Sequence, residues 1–448
     1  SELDYATAMM EKIALERPAA ITKNDYAETY AYFCAAEALM KREGFVFQND
    51  FASEYEKTVY ETAYNEAYQN CENRLRKNGY KIYTTLNLNV QEQLQRAVDE
   101  NLKKYTEVNE EGVYKLQASA VCMNNDTGFI EAIVGGRSQE FGFYTLNRAY
   151  QSYRQPGSAV KPLIVYTPML ERGYTAETLV IDEPIEDGPK NSNGYLGEIT
   201  LQKAVEESVN VIAWKLFEEL TPAKGLEYLE KMNFKRLNEK DYRLPSALGG
   251  FTEGVSALEM AAAYSTLEND GVYRTPTCVK RILDAAGNVI FEADQSGKQI
   301  YQHNAARVMT EMLTSVMENG TGKKLKLNKM PSAGKTGTTN DQKDGWFVGY
   351  TQYYTTSVWV GFDLPKELKD LKGNTYPGKI WKQFMDEVHE GLPIREFKSA
   401  VQIKEENQVQ SFTPKGEETE MTEVIEIPEN EILKNEVEND GNLVDTVP

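Results

Sequence analysis

Strand-forming runs sit at both ends of a long helical stretch, and this distribution constrains the fold more than any other feature. Residues 118–123 and 129–134 flank the turn Asn124-Asn125-Asp126-Thr127-Gly128, which is a hairpin signal. Far downstream, β-rich runs return at 333–339, 345–350 and 355–362, the last with partial alternation through Thr356-Ser357-Val358-Trp359-Val360. Between them, from Ser158 to about Glu268, helical patterns dominate. Strands this remote can share a sheet only if the helical insertion loops out of it. The expected class is therefore α/β in an α+β layout, an antiparallel β-sheet sandwiched by helices.

The flanks have a different texture. Residues 1–80 are helical and aromatic-rich: Ala27, Tyr30, Ala31, Cys34, Ala35 and Ala38 follow a 3.6-residue period that ends before Gly44. A second periodic stretch runs from about Tyr55 to Leu75 and stops near Gly79. From Lys81 the pattern changes to a β-rich run, Ile82-Tyr83-Thr84-Thr85, and an amphipathic helix over 89–104. Residues 401–448 carry thirteen acidic residues against three lysines and a single aromatic, Phe412. Too little apolar surface is present there to offset the entropy of ordering, so an acidic, disordered tail is expected, with Val424-Ile425-Glu426-Ile427 as its one strand-like segment.

Charge and residue usage exclude several function classes. Forty-nine Lys and Arg stand against 69 Asp and Glu, a net −20 with no basic stripe, which argues against a nucleic-acid partner. Only two histidines occur, His303 and His389, and no HExxH, so no metal site and no histidine base are expected. No run of 18 apolar residues occurs, and membrane attachment is expected only through an anchor outside this sequence. The four cysteines form no metal spacing; an antiparallel pairing of the two N-terminal helices could bring Cys34 and Cys71 together, as a disulfide or as free thiols.

Three short patterns stand in order: Ser158-Ala159-Val160-Lys161, Ser208-Val209-Asn210 and Lys335-Thr336-Gly337. Alone, each usually marks an ordinary polar surface. Gln155-Pro156-Gly157 leads into the apolar run Leu163-Ile164-Val165-Tyr166, so Ser158 is expected at a helix start with Lys161 one turn on, on the same face. A serine hydroxyl needs a neighbouring base, and lysine can serve if burial and nearby positive charge leave it neutral. Ser332 also fits SxxK with Lys335, but Gly334 and its β-rich context place it in a strand, where it is a decoy. Ser208 and Asn210 can face one pocket only if the helix ends or loops between them. Gly334-Lys335-Thr336 resembles a P-loop ending, yet Lys329 stands where its first glycine belongs, so the nucleotide reading fails. As a strand, Lys335, Thr336, Gly337 and Thr338 offer an ammonium, two hydroxyls and close backbone approach, which suits a carboxylate-ended substrate held as an added strand.

Assembled, these residues resemble the transpeptidase domain of penicillin-binding proteins. Asn147-Arg148-Ala149 to Ser158, Gly334 to Thr339, Asp344-Gly345-Trp346-Phe347-Val348-Gly349-Tyr350 and Gly79 to Thr85 are similar to class A (bifunctional) members. The resemblance implies a penicillin-binding serine transpeptidase fold over residues 81–400. Residues 1–80 would be a helical linker following a glycosyltransferase domain, whose Glu-Asp-x-x-Phe-x-x-His pattern is not found here. It implies that Ser158 attacks the penultimate D-Ala carbonyl of a peptidoglycan stem peptide. Lys161 would be its base, Ser208 and Lys335 a proton relay, Asn210, Thr336 and Thr338 substrate contacts, and the Ser158 and Thr338 N–H groups an oxyanion hole. It also implies trapping by β-lactam antibiotics, no cofactor, and work at the extracytoplasmic face of the bacterial membrane. No Glu-x-x-x-Asn, the β-lactamase water-positioning pattern, falls between Val211 and Gly334, which favours slow deacylation. A D,D-carboxypeptidase and a non-catalytic β-lactam sensor are the alternatives.

Overall fold

The computed structural model describes residues 26–49, 51, 53–138 and 146–400. The acidic tail therefore lies outside the described residues. Two helices come first, α1 (Tyr26–Arg42) and α2 (Glu54–Lys77). Gly44 and Gly79 follow them with φ of +89° and +68°, the left-handed backbone that stops a helix. Next come β1 (Lys81–Thr84), α3 (Leu88–Leu102) and the hairpin β2 (Leu116–Asn124) and β3 (Ile130–Val134).

The middle of the chain holds a small hairpin, β4 (Leu179–Asp182) and β5 (Gly197–Thr200), then α4 (Leu201–Glu206), α5 (Asn210–Leu220) and α6 (Ala257–Glu268). Strands β6 (Val279–Leu283) and β7 (Val289–Glu292) precede α7 (His303–Glu318). The chain closes with β8 (Ala333–Thr338), β9 (Asp344–Tyr350), β10 (Tyr354–Phe362) and α8 (Tyr376–Val388).

The central sheet runs β8-β9-β10-β2-β3, antiparallel throughout. Both chain regions read as strand-forming meet in it, joined where β10 pairs β2 from Tyr354↔Asn124 to Phe362↔Leu116. Helices cover both faces. On one, α3 and α8 close a core of Leu94, Val98, Phe347, Ile380, Trp381 and Phe384, with Trp381 Nε1 donating to Gly349 O at 3.1 Å. On the other lies the larger core, which includes α6, α7 and the run after Ser158. Helix α6 is buried along all but its last residue, as an apolar helix between layers must be.

Helices dominate 158–268 as expected, interrupted only by β4 and β5, strands too short and exposed to show an alternating pattern. Cys34 and Cys71 form no disulfide. All four cysteines are free and buried; Cys71 Sγ lies 3.8 Å from Glu43 Oε2, and Cys34 lies against Cys278, the residue just before β6. A third, three-stranded sheet β1-β6-β7 uses the early β-rich run and two short strands with no alternating pattern.

Candidate active site

The segment carrying Ser158 is a composite helix: a 3-10 turn Gly157–Val160, a π turn Pro162–Tyr166 and an α turn Thr167–Glu171. Pro162 and Pro168 lack N–H groups, which denies the segment a regular α ladder. Gly157 has a φ of +55°, and a Cβ there would lie 2.7 Å from Thr338 O, so only glycine lets this turn touch β8. Ser158 is partly accessible while Ala159, Val160 and Lys161 are buried. The nucleophile candidate sits on the turn's open side.

Lys161 is fully buried, and its Nζ donates to Ser208 O at 2.8 Å, Asn210 Oδ1 at 2.8 Å and Val209 O at 3.2 Å. Its three hydrogen-bond partners are all acceptors, none of them a carboxylate. Burial, and after it the charge of Lys335, pushes this lysine well below its ordinary range. The Ser208–Asn210 segment is a break between helices. Helix α4 ends at Glu206, Ser208 adopts φ +58°, and α5 starts at Asn210, so both polar side chains turn to one pocket.

Lys335 lies at the middle of β8, the edge strand of the sheet, and is fully buried. Its Nζ donates to Ser208 Oγ at 2.7 Å and to Thr336 O at 3.3 Å. Burial pulls it down to about 7. Thr336 shares a hydrogen bond with Thr321 at 3.0 Å, and Thr338 Oγ1 accepts from Gly373 N at 3.0 Å, leaving the Thr338 proton free to donate elsewhere. Gly337 packs on the turn that carries Ser158, where a Cβ would lie 2.3 Å from Pro156 O. Ser332 sits on the non-helical run into β8, so Lys335 is not one helical turn from it. Thus Lys161, Ser208, Asn210 and Lys335 form one connected group, with Ser158 and Thr336 to Thr338 beside it.

The flanking residues brace this arrangement. Arg154 Nε donates to Asp344 Oδ1 at 2.7 Å, both side chains under 10% exposed, and Trp359 Nε1 donates to the same oxygen at 3.0 Å. Trp346 Nε1 donates to Gln155 O at 2.9 Å. The approach to Ser158 is therefore fastened to β9 and β10. Residues 118–386, more than half of the chain, match the family model described as penicillin binding protein transpeptidase domain. The chain belongs to the penicillin-binding protein transpeptidase family. It is 36% identical over 313 residues to penicillin-binding protein 4 of Bacillus subtilis, covering 69% of this chain and 48% of that protein. To penicillin-binding protein 1A of Clostridium acetobutylicum it is 33% identical over 342 residues, covering 72% and 42%. The chain thus spans about half the length of the curated relatives it matches. Among solved structures, PonA1 of Mycobacterium tuberculosis in complex with penicillin V aligns with a TM-score of 0.61 at 25% identity, over 75% of this chain and 93% of that one. The penicillin-binding transpeptidase fold expected from the motifs is the fold observed.

Sequence reasoning missed Thr321, Gly373 and Asn191 at this site. Thr321 follows α7 in Asn319-Gly320-Thr321-Gly322, where the signal is local: a Cβ at Gly320 would lie 2.5 Å from Glu206 O, and Thr321 N donates to that same oxygen at 3.1 Å. Asn191 lies in a polar loop with no local signal.

Proposed function

We propose that this domain is a serine D,D-transpeptidase that cross-links peptidoglycan stem peptides and is acylated by β-lactams. The observation that carries the reading is the chain of contacts Asn210–Lys161–Ser208–Lys335, which joins three motifs remote in sequence in one pocket beside Ser158. In this reading neutral Lys161 takes the proton of Ser158 Oγ as that oxygen attacks the penultimate D-Ala carbonyl. The Ser158 and Thr338 N–H groups receive the oxyanion. Collapse breaks the peptide bond, and the proton passes through Ser208, held by Lys335, to the leaving D-Ala amine. Thr336 and Thr338 bind the terminal carboxylate along edge strand β8, with the Lys335 charge behind them. An amine of a second stem peptide then attacks the ester and frees Ser158. Residues 81–400 would be the catalytic domain and 1–80 its helical linker, working at the extracytoplasmic face of the membrane. No helix among the described residues is long and apolar enough to cross it.

The test is labelling with a fluorescent penicillin, peptide mapping of the adduct, and turnover of a D-Ala-D-Ala stem peptide with and without an amine acceptor. An adduct on Ser158 and an amide product are expected. An adduct on Ser332, or none, refutes the nucleophile; release to water alone with acceptor present makes the domain a carboxypeptidase.

A further inference from the structure

Helix α5 carries Asn210 at its first position but has no cap of its own, since Val209 precedes it and makes no side-chain capping bond. The cap comes from the loop between β4 and β5. Asn191 Oδ1 accepts from Asn210 N at 2.9 Å and from Val211 N at 3.1 Å. Asn191 Nδ2 donates to Asp182 Oδ1 at 2.7 Å and to Gly194 O at 3.1 Å. Asp182, 1% exposed, uses its other oxygen to accept from Leu196 N at 2.9 Å. The Asn191 amide therefore has one orientation that fits, oxygen toward the helix and nitrogen toward the carboxylate.

The same loop fixes the Asn210 side chain. Lys190 O accepts from Asn210 Nδ2 at 2.9 Å, which turns Asn210 Oδ1 inward to Lys161 Nζ at 2.8 Å. With the amide flipped, an NH2 group would face the ammonium. We propose that Asn191, oriented by Asp182, is a positioning residue that sets Asn210 and through it the reactive geometry of Lys161. This rests on the transpeptidase reading above. The charged group facing Lys161 from the neighbouring strand is Lys335.

The experiment measures β-lactam affinity and the first-order acylation step separately, across pH, for wild type, Asn191→Ala, Asn191→Asp and Asn191→Asp with Asp182→Asn. Asn87→Ala is the comparison: Asn87 Oδ1 caps α3 by accepting two N–H groups, at 3.0 and 3.3 Å, far from the site. Asn191→Ala is expected to slow acylation at least tenfold with little change in affinity. Its acid limb should move to lower pH, because Lys161 loses an acceptor that favours its charged form. Asn191→Asp places two carboxylates in contact and should also slow the step; adding Asp182→Asn restores a donor between the two positions and should recover most of the rate. Asn87→Ala should lower the melting temperature alone. If Asn191→Ala loses stability like Asn87→Ala but keeps the rate and the limb, Asn191 is only a helix cap and the inference fails. Failure of the exchanged pair to recover the rate overturns the Asp182 link. Absence of any Ser158 adduct in wild type overturns the underlying reading instead.

Discussion

Gly337→Ala places one methyl group between the two halves of the site. Its Cβ would stand 2.3 Å from Pro156 O and 3.0 Å from both Ala159 Cβ and Trp346 Cβ. Pro156 O is backbone and cannot rotate away, so restoring ordinary contact requires the Ser158 turn to retreat from β8 by about 1 Å. A 1 Å misplacement of reacting groups costs about 10²-fold in rate, equivalent to about 2.7 kcal/mol of barrier. The second-order rate of acylation by a fluorescent penicillin should thus fall about a hundredfold, while β8 stays paired with β9. Gly334→Ala is the matched variant: its Cβ would meet the Phe347 ring at 2.9 Å and Gly349 Cα at 3.2 Å, away from Ser158. It should lower the melting temperature and change acylation only a few-fold. A folded Gly337→Ala protein acylated within fivefold of wild type would refute the claim that this contact sets the distance between the turn and the strand.

The two lysines should separate by charge: Lys161→Arg is expected to reduce acylation at least a thousandfold, since a guanidinium cannot act as base, and Lys335→Arg to reduce it far less; equal losses contradict the assignment. With an anionic β-lactam the rate should fall as pH rises through about 7, where Lys335 loses its charge. Lys335→Arg should remove the falling limb, and its persistence would place that limb elsewhere. Asp344→Ala leaves Arg154 buried without its partner and should cost about 3–5 kcal/mol in denaturant unfolding, whereas the double variant Arg154→Met with Asp344→Leu should cost less; equal costs would show that the pair itself is not the source. Thiol titration under denaturing, non-reducing conditions should find all four cysteines free, and any missing pair refutes the packing of Cys34 and Cys71 described above.

The central sheet was legible because its strands are long and buried, and because a turn rich in Asn, Asp and Gly marks the β2–β3 hairpin. The partial alternation of residues 355–362 was enough even though β10 is buried over most of its length. Ser158, Lys161, Ser208, Asn210 and Lys335 were legible as an ordered set, and the break between α4 and α5 is the geometry that Ser208 and Asn210 needed to share a pocket. The small strands were not: β4 and β5 have four residues each and are stabilised by what they pack on. The neighbour of Cys34 was hidden too, since Cys278 comes from the bend just before β6, which the helical period of α1 cannot report. Asn191 shows the same limit at the site. Its role depends on Asp182 behind it and Asn210 in front, and three polar residues spread over 29 positions have no periodicity to detect.

Ser208 is where the three motifs become a single device. Its carbonyl oxygen accepts from Lys161 and its hydroxyl oxygen accepts from Lys335, so one residue stands between two buried lysines with a different oxygen toward each. The backbone that allows this is left-handed for a residue with a Cβ, a conformation costing of order 1–3 kcal/mol that persists only where surrounding contacts over-determine it. Those contacts are present: Ser208 N donates to Val205 O at 3.2 Å, Val209 N to Ala204 O at 2.9 Å, and Asn191 holds the next helix start. Because Lys335 donates to the hydroxyl oxygen, the Ser208 proton is left to point away from that lysine. The proposed relay needs a hydroxyl that accepts on one side and donates on the other, and the left-handed turn presents a hydroxyl that accepts from Lys335. The two lysines, each pushed down by burial, would repel across a shorter gap; Ser208 keeps them apart while joining them.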